Sequence, residues 1–278
     1  MEPICDLHLH STFSDGTDTP TELINLACKA GLCAVALCDH NTVKGLPEFM
    51  EAAKGREVEA IPGVEFSTEY LGSELHILGL FIRPEHYAAV TEVLDAMLLR
   101  KEQSNIALVE ALKKADIYLD YTAIKAHASG NVNRAVIAAE MVRKGYCASV
   151  KEAFSQWLSP KRGYYQPPQR LDAFEVIRFI KSIGATAVLA HPFLSLEEAP
   201  LRVFLERAKE CGLDAIEVYY SMFSLQQTAL ARQIAEDFNL KISGGSDYHG
   251  ENKPHIQMGN GMGDLHIPTS VLDSLRPV

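Results

Sequence analysis

Asp6-Leu7-His8-Leu9-His10 opens the chain with two histidines at i and i+2 in an apolar, strand-like run. Side chains two apart on a strand share one face, so both imidazoles can reach one point, and a pair of neutral imidazoles held this way chelates a metal. One such pair arises by chance, and its meaning depends on the rest of the chain. A second apolar run, Cys33-Ala34-Val35-Ala36-Leu37-Cys38, ends in Asp39-His40. The same grammar, an apolar strand closed by a metal-ligand residue, recurs to the end of the chain.

Between these runs lie helical patterns. The first strand is predicted at 3–9, and a helix at 20–30 starts behind Thr19-Pro20, a capping residue with proline at the first helical position, and stops at Gly31. A short helix at 45–54 leads to strands at 58–66 and 75–82, joined by the hairpin-like turn Tyr70-Leu71-Gly72-Ser73. From 87 to 170 strand signals vanish. Helical periodicity covers 87–114, with Val90, Val93, Leu94, Met97 and Leu98 on one stripe, and further helices are predicted at 134–144, capped by Asn133, and at 149–158. Pro167-Pro168 closes the segment, and alternation resumes with helices at 172–183, 199–211 and 224–238 between strands at 186–190, 215–220 and 240–243. The pattern predicts an α/β barrel (residues 1–86 and 171–278) interrupted by a small helical insertion (87–170).

The 278 residues suffice for such a barrel, and 47% hydrophobic with 22% charged residues is ordinary globular composition. No apolar run reaches the roughly 18 residues of a membrane span, no secretory signal precedes the first strand, and the six cysteines include no C-x-x-C pair. These features predict a cytoplasmic chain with reduced thiols. The net charge is −10, yet residues 87–170 hold 12 Lys and Arg against 8 Asp and Glu, leaving −14 on the remainder. An acidic barrel suits bound cations, and a basic insertion suits an anionic substrate.

Nine ligand-type residues fall at the strand ends: His8, His10, Asp15, His40, Glu65, His76, His191, Asp247 and His249. Residues at the C-terminal strand ends of an α/β barrel meet at one mouth, and nine ligands exceed the needs of one ion. Singly, each has a plain structural use, such as Asp15-Gly16 in a turn. Their recurrence at successive strand ends does not. Gly259-Asn260-Gly261-Met262-Gly263 lacks Walker-A spacing and its lysine and reads as a flexible loop.

On these residues the chain resembles the PHP (polymerase and histidinol phosphatase) metal-dependent phosphoesterases. The matching motifs are His8-Leu9-His10-Ser11, Ser14-Asp15-Gly16, Asp39-His40-Asn41-Thr42, Gly63-Val64-Glu65, His76-Ile77-Leu78-Gly79, Ala190-His191-Pro192 and Gly245-Ser246-Asp247-Tyr248-His249-Gly250. The resemblance implies a distorted seven-stranded barrel with two or three divalent ions, Mn, Fe or Zn. It implies one ion on His8, His10, Glu65 and Asp247, a second on Asp15, His40 and His249, and a third on Glu65, His76 and His191, with Glu65 bridging. Asp6 and Asp39 are cast as acceptors that orient the ligating imidazoles. Many members carry His where Asp15 stands, and the carboxylate resembles the branch that acts on nucleotides and oligonucleotides.

The insertion resembles the same branch through Gly130-Asn131-Val132-Asn133-Arg134, although Ala135 and Val136 replace the Pro-His that usually follows. Arg134 is the candidate phosphate clamp, and Lys161, Arg162 and Tyr164 are candidate phosphate or base contacts. The implied reaction is hydrolysis of a nucleotide or short-oligonucleotide phosphate ester, such as a 3′,5′-bisphosphate nucleotide, by a metal-bound hydroxide, with Asp15, His191 and Arg134 as catalytic residues. No membrane or obligate protein partner is implied. Two alternatives stand beside it: a histidinol-phosphate-like phosphomonoesterase, and a catalytically idle PHP-fold binding module.

Overall fold

The structure, a computed structural model, describes residues 3–127 and 132–277. Strand β1 (Cys5–Leu9) is followed by α1 (Pro20–Ala30), β2 (Ala34–Leu37), α2 (Leu46–Ala52), β3 (Glu59–Tyr70) and β4 (Ser73–Leu80). A helical stretch comprises α3 (Tyr87–Leu112), α4 (Tyr121–His127), α5 (Arg134–Arg143) and α6 (Val150–Ala153). Then come β5 (Leu171–Asp172), α7 (Ala173–Ser182), β6 (Thr186–Leu189), α8 (Glu198–Glu210), β7 (Ala215–Tyr220), α9 (Leu225–Asp237), β8 (Lys241–Gly245) and α10 (Thr269–Leu275).

Local chemistry sets these boundaries. At α1, Thr19 accepts from the Glu22 amide, the Glu22 carboxylate accepts from the Thr19 amide, and Gly31 closes the helix in the left-handed region at φ 68°. The turn between β3 and β4 places Leu71 and Gly72 at φ 49° and 83°, the twist that a two-residue hairpin loop requires. β3 extends to Tyr70, four residues beyond its predicted end, because that hairpin carries its pairing outward.

The chain forms two compact units, one comprising the chain up to Thr91 and from Leu171, the other Glu92–Arg170. In the first, the sheet runs β1-β2-β3-β4-β6-β7-β8, with the short β5 added to β3. β4 is antiparallel to both neighbours and the other pairs on this path are parallel. β8 returns to β1: the Asp247 amide donates to the His8 carbonyl at 2.9 Å and the His10 amide to the Tyr248 carbonyl at 3.0 Å. The result is the expected seven-stranded barrel, nearly closed. Closure depends on Gly245, where a Cβ would lie 2.2 Å from the His8 Cβ. An apolar cluster including Leu7, Ala36, Leu78, Val188 and Ile267 is capped by Val271, Leu272 and Leu275 of α10.

In the second unit, Leu108, Leu112, Ile124, Ile137, Met141 and Leu158 form a separate core. The seven-residue helices α4 and α10 add to the predicted elements. Among the described residues no helix is long and apolar enough to cross a membrane. All six cysteines are free.

Candidate metal centre

Parallel strands deliver their C-terminal ends to one side of the barrel, and the ligand-type side chains gather there. His8 lies in β1 with His10 just beyond it, His40 follows β2, His191 follows β6, and Asp247 and His249 follow β8. His76 arrives from the antiparallel β4, paired with Ser67 in the ladder and so two residues from Glu65 on the same face. The loop carrying Asp15 is pinned from beneath. Asp39 accepts from the Ser11 amide and the Ser11 and Ser14 hydroxyls, each at 2.7 Å, and a Cβ at Gly16 would come within 2.3 Å of the His10 carbonyl oxygen.

Glu65, fully buried, is the hub. Its Oε2 lies 3.2 Å from His8 Nε2, 3.2 Å from His10 Nε2 and 3.0 Å from His40 Nδ1. Its Oε1 lies 2.8 Å from His76 Nδ1 and 3.1 Å from His191 Nε2. Asp247 Oδ1 sits 3.2 Å from His10 Nε2 and 3.5 Å from His249 Nδ1. Asp15, whose side chain is 54% exposed, reaches His249 Nε2 at 3.2 Å and His40 Nε2 at 3.9 Å.

All nine residues of the proposed ligand set are therefore in one cluster. Potential ligand atoms fall into four overlapping groups, each within 4.8 Å: His10, Asp15, His40 and His249; His8, Glu65 and His191; His8, His10 and Asp247; His40, Glu65 and His76. The grouping differs in detail from the partition the family resemblance implies: His10 also joins the Asp15 group, His191 groups with Glu65 and His8, and His40 takes its place beside Glu65 and His76.

Three buried or half-buried partners went unread in the sequence. Glu217 of β7 holds His8 Nδ1 at 3.1 Å through one oxygen and accepts from the His191 amide at 2.7 Å through the other. The Tyr220 hydroxyl donates to Asp247 Oδ2 at 2.9 Å, and Lys253 Nζ lies 2.7 Å from the same oxygen. The signal for Glu217 was available: an acid amid Ala215, Ile216 and Val218 in a buried strand must have partners.

Asp6 and Asp39, expected to orient imidazoles, do not. Asp6 accepts from the amides of Ser246 at 2.8 Å and Gly259 at 2.7 Å, and Asp39 holds the Ser11–Ser14 turn. Both brace backbone, and Glu217 takes the role assigned to them. The Gly259–Gly263 loop, read as flexible, is thereby anchored at its first residue. Backbone strain concentrates at the same rim, with Asn41, His191 and Asp247 at φ 52°, 27° and 57°.

Burial disfavours charge on these groups, and their mutual attraction opposes it. Burial works against the charged form of His8, but Glu65 and Glu217 raise its pKa well above the usual value. His76 is pushed up to about 9, with Glu65 overcoming burial. His40, for which burial dominates, falls to about 4. Glu65 and Asp247 are held well below the carboxylate range by surrounding imidazoles in spite of burial.

Yet close approach is not hydrogen bonding. His8 Nε2, both nitrogens of His10, His40 Nδ1, Glu65 Oε2, His76 Nδ1 and His191 Nδ1 are buried without a hydrogen-bond partner. Orphaned polar atoms of this kind are costly. Imidazole nitrogens and carboxylate oxygens converging at about 3 Å, outside hydrogen-bond geometry, fit the coordination shell of divalent metal ions.

The candidate substrate contacts lie in the 92–170 unit. The Arg134 guanidinium stands over the Tyr165 ring at 4.3 Å and donates to the Leu158 carbonyl at 3.1 Å, so it ties together both ends of the segment bearing Lys161, Arg162 and Tyr164. Lys161 and Arg162 are exposed in a 3₁₀ turn, and Tyr164 is half-buried against Trp157 at 5.6 Å. Gly130 and Asn131 lie outside the described residues.

The PHP domain profile matches residues 6–165. A 5′-3′ exoribonuclease of Haemophilus influenzae is 34% identical over 245 residues, covering 88% of this chain and 89% of the relative. A 3′,5′-nucleoside bisphosphate phosphatase of Chromobacterium violaceum is 29% identical, covering 88% and 86%. The solved structure of a Bifidobacterium adolescentis protein classed as a metal-dependent phosphoesterase superposes with a TM-score of 0.71 at 27% identity, covering 99% and 96%.

Proposed function

The chain belongs to the PHP domain family, and on that premise we propose that it is a metal-dependent phosphoesterase hydrolysing a phosphate ester of a nucleotide or short oligonucleotide. The observation that carries this reading is Glu65, a buried carboxylate within 3.2 Å of five imidazoles whose donor atoms are largely without hydrogen bonds. The names of two relatives, an exoribonuclease and a nucleoside bisphosphate phosphatase, point to the same substrate chemistry.

Two or three divalent ions, manganese, iron or zinc, are proposed to be held by His8, His10, Asp15, His40, Glu65, His76, His191, Asp247 and His249. When bound, they supply Lewis acidity to the phosphoryl oxygens and to the attacking water. The residues of the chain do the rest. Glu217 engages His8 Nδ1, which turns Nε2 toward Glu65 and Asp247. Tyr220 and Lys253 occupy Asp247 Oδ2, which leaves Oδ1 facing the imidazoles. Asp15 is the most exposed carboxylate of the cluster. His249, His40 and His10 outweigh its partial burial and keep it ionised, so it is cast as the acceptor that orients incoming water. His191, tied through its amide to Glu217, presents Nε2 to Glu65 at the shared centre.

Arg134, Lys161, Arg162 and Tyr164 are proposed as phosphate or base contacts, supported by the positive charge of their segment and the exposure of Lys161 and Arg162. The test is hydrolysis of a panel spanning adenosine 3′,5′-bisphosphate, 5′-phosphorylated oligoribonucleotides and histidinol phosphate, read as inorganic phosphate from the monoesters and as nucleoside monophosphate from the oligoribonucleotides. Turnover confined to histidinol phosphate overturns the nucleotide reading.

A further inference from the structure

An aromatic ladder leads outward from the metal centre. The His191 ring lies 5.2 Å from the Tyr220 ring, Tyr220 lies 5.1 Å from Phe223, and Phe223 lies 5.3 Å from Phe193. The Tyr220 hydroxyl joins the same ladder to the centre from another side, donating to Asp247 and lying 3.9 Å from the Met222 sulfur. Two turns build its outer end. Pro192–Leu194 forms a 3₁₀ turn directly after His191, and 221–224 links β7 to α9, with the Phe223 amide donating to the Tyr220 carbonyl at 3.0 Å.

Apolar side chains are unexpectedly open there: Leu194 is 54% exposed and Met222 51%, while Phe193 is half-buried. Metal ligation does not explain them, and neither does the barrel core, which lies in a separate set of residues. We propose that Phe193, Leu194 and Met222, backed by Phe223, form a stacking shelf for the nucleobase attached to the scissile phosphate. This rests on the reading of the centre as a nucleotide phosphoesterase.

The occupant is identified by chemistry and continuity. A phosphate at the metal cluster leaves the remainder of its substrate over the adjoining surface, and this part of that surface begins two residues from His191. Phe193, Leu194 and Met222 offer dispersion and a π-face but no side-chain hydrogen bond to a base edge, so the shelf accepts any base without reading its identity. That suits an enzyme working through mixed sequence.

The test compares adenosine 3′,5′-bisphosphate with abasic ribose 3,5-bisphosphate as substrates of the metal-loaded full chain. The ratio of their kcat/KM values is expected to favour the base by about ten-fold in the unaltered protein, expressed in KM. It is expected to fall to about one in Phe193→Ala and in the more exposed Met222→Ala, and to be retained in Phe193→Trp. A ratio near one in the unaltered protein, or a ratio unmoved by both alanine variants, overturns the shelf while leaving the phosphoesterase reading intact. Absence of turnover of either compound, with only non-nucleotide phosphoesters cleaved, overturns the nucleotide reading and the shelf with it.

Discussion

Glu217 Oε1 lies 3.1 Å from His8 Nδ1, and both side chains are fully buried. The other Glu217 oxygen takes the His191 amide, so one carboxylate fixes two ligand-bearing strand ends. Glu217→Ala leaves two buried donors unpaired. It is expected to weaken metal affinity by about 10–100-fold and to lower stability by about 2 kcal/mol. Calorimetric metal titration and denaturant melts measure both.

Gly245→Ala acts through packing alone. The added Cβ meets the His8 Cβ at 2.2 Å and the His8 amide at 2.6 Å, so β8 must move away from β1 or His8 must yield. The variant is expected to lose about 3 kcal/mol of stability together with metal affinity. Retention of both would show that the β1–β8 closure does not position His8.

Metal removal should invert the pH dependence of stability. In the metal-free chain the pKa of His76 is raised from 6.5 to about 9, because Glu65 and Glu74 overcome burial. A base raised on folding adds stability that is complete below pH 6.5 and lost as pH climbs through about 9. The melting temperature of the stripped protein should therefore fall between pH 6.5 and 9. Metal binding needs neutral imidazoles, so affinity rises over the same interval and the loaded protein should not share the decline. A stripped protein that gains stability toward pH 9 contradicts this.

Arg134→Ala removes the guanidinium over Tyr165 and its bond to the Leu158 carbonyl. Stability should drop by about 1 kcal/mol. If Arg134 also contacts substrate phosphate, KM should rise about ten-fold with kcat little changed. Unchanged nucleotide kinetics would remove Arg134 from substrate binding.

Much of the barrel was legible because its strands are short apolar runs with polar stops. His8, His40, His191 and Asp247 could be ranked together only because strand direction brings the ends of the parallel strands together in space, whereas Glu65 stands inside β3. Where sequence reading failed, neighbours in the chain were mistaken for neighbours in space. Asp6 shares a strand face with His8, which made it a reasonable partner for an imidazole, but the return of β8 and the Gly259 loop supply amides that claim its oxygens first. Tyr220 reaches Asp247 only once β7 and the loop after β8 are side by side, and Lys253 reaches it through the fold of that loop. No spacing in the sequence encodes that meeting.

The most direct measurement is product release, inorganic phosphate from adenosine 3′,5′-bisphosphate and nucleoside monophosphate from a 5′-phosphorylated oligoribonucleotide, followed while the chelated protein is titrated with manganese, iron or zinc and its bound metal is quantified. The metal centre built on Glu65 predicts no release without metal and turnover that rises as more than one ion binds per chain. Full activity in the metal-free protein, or a fully loaded protein that releases nothing from either substrate, contradicts it.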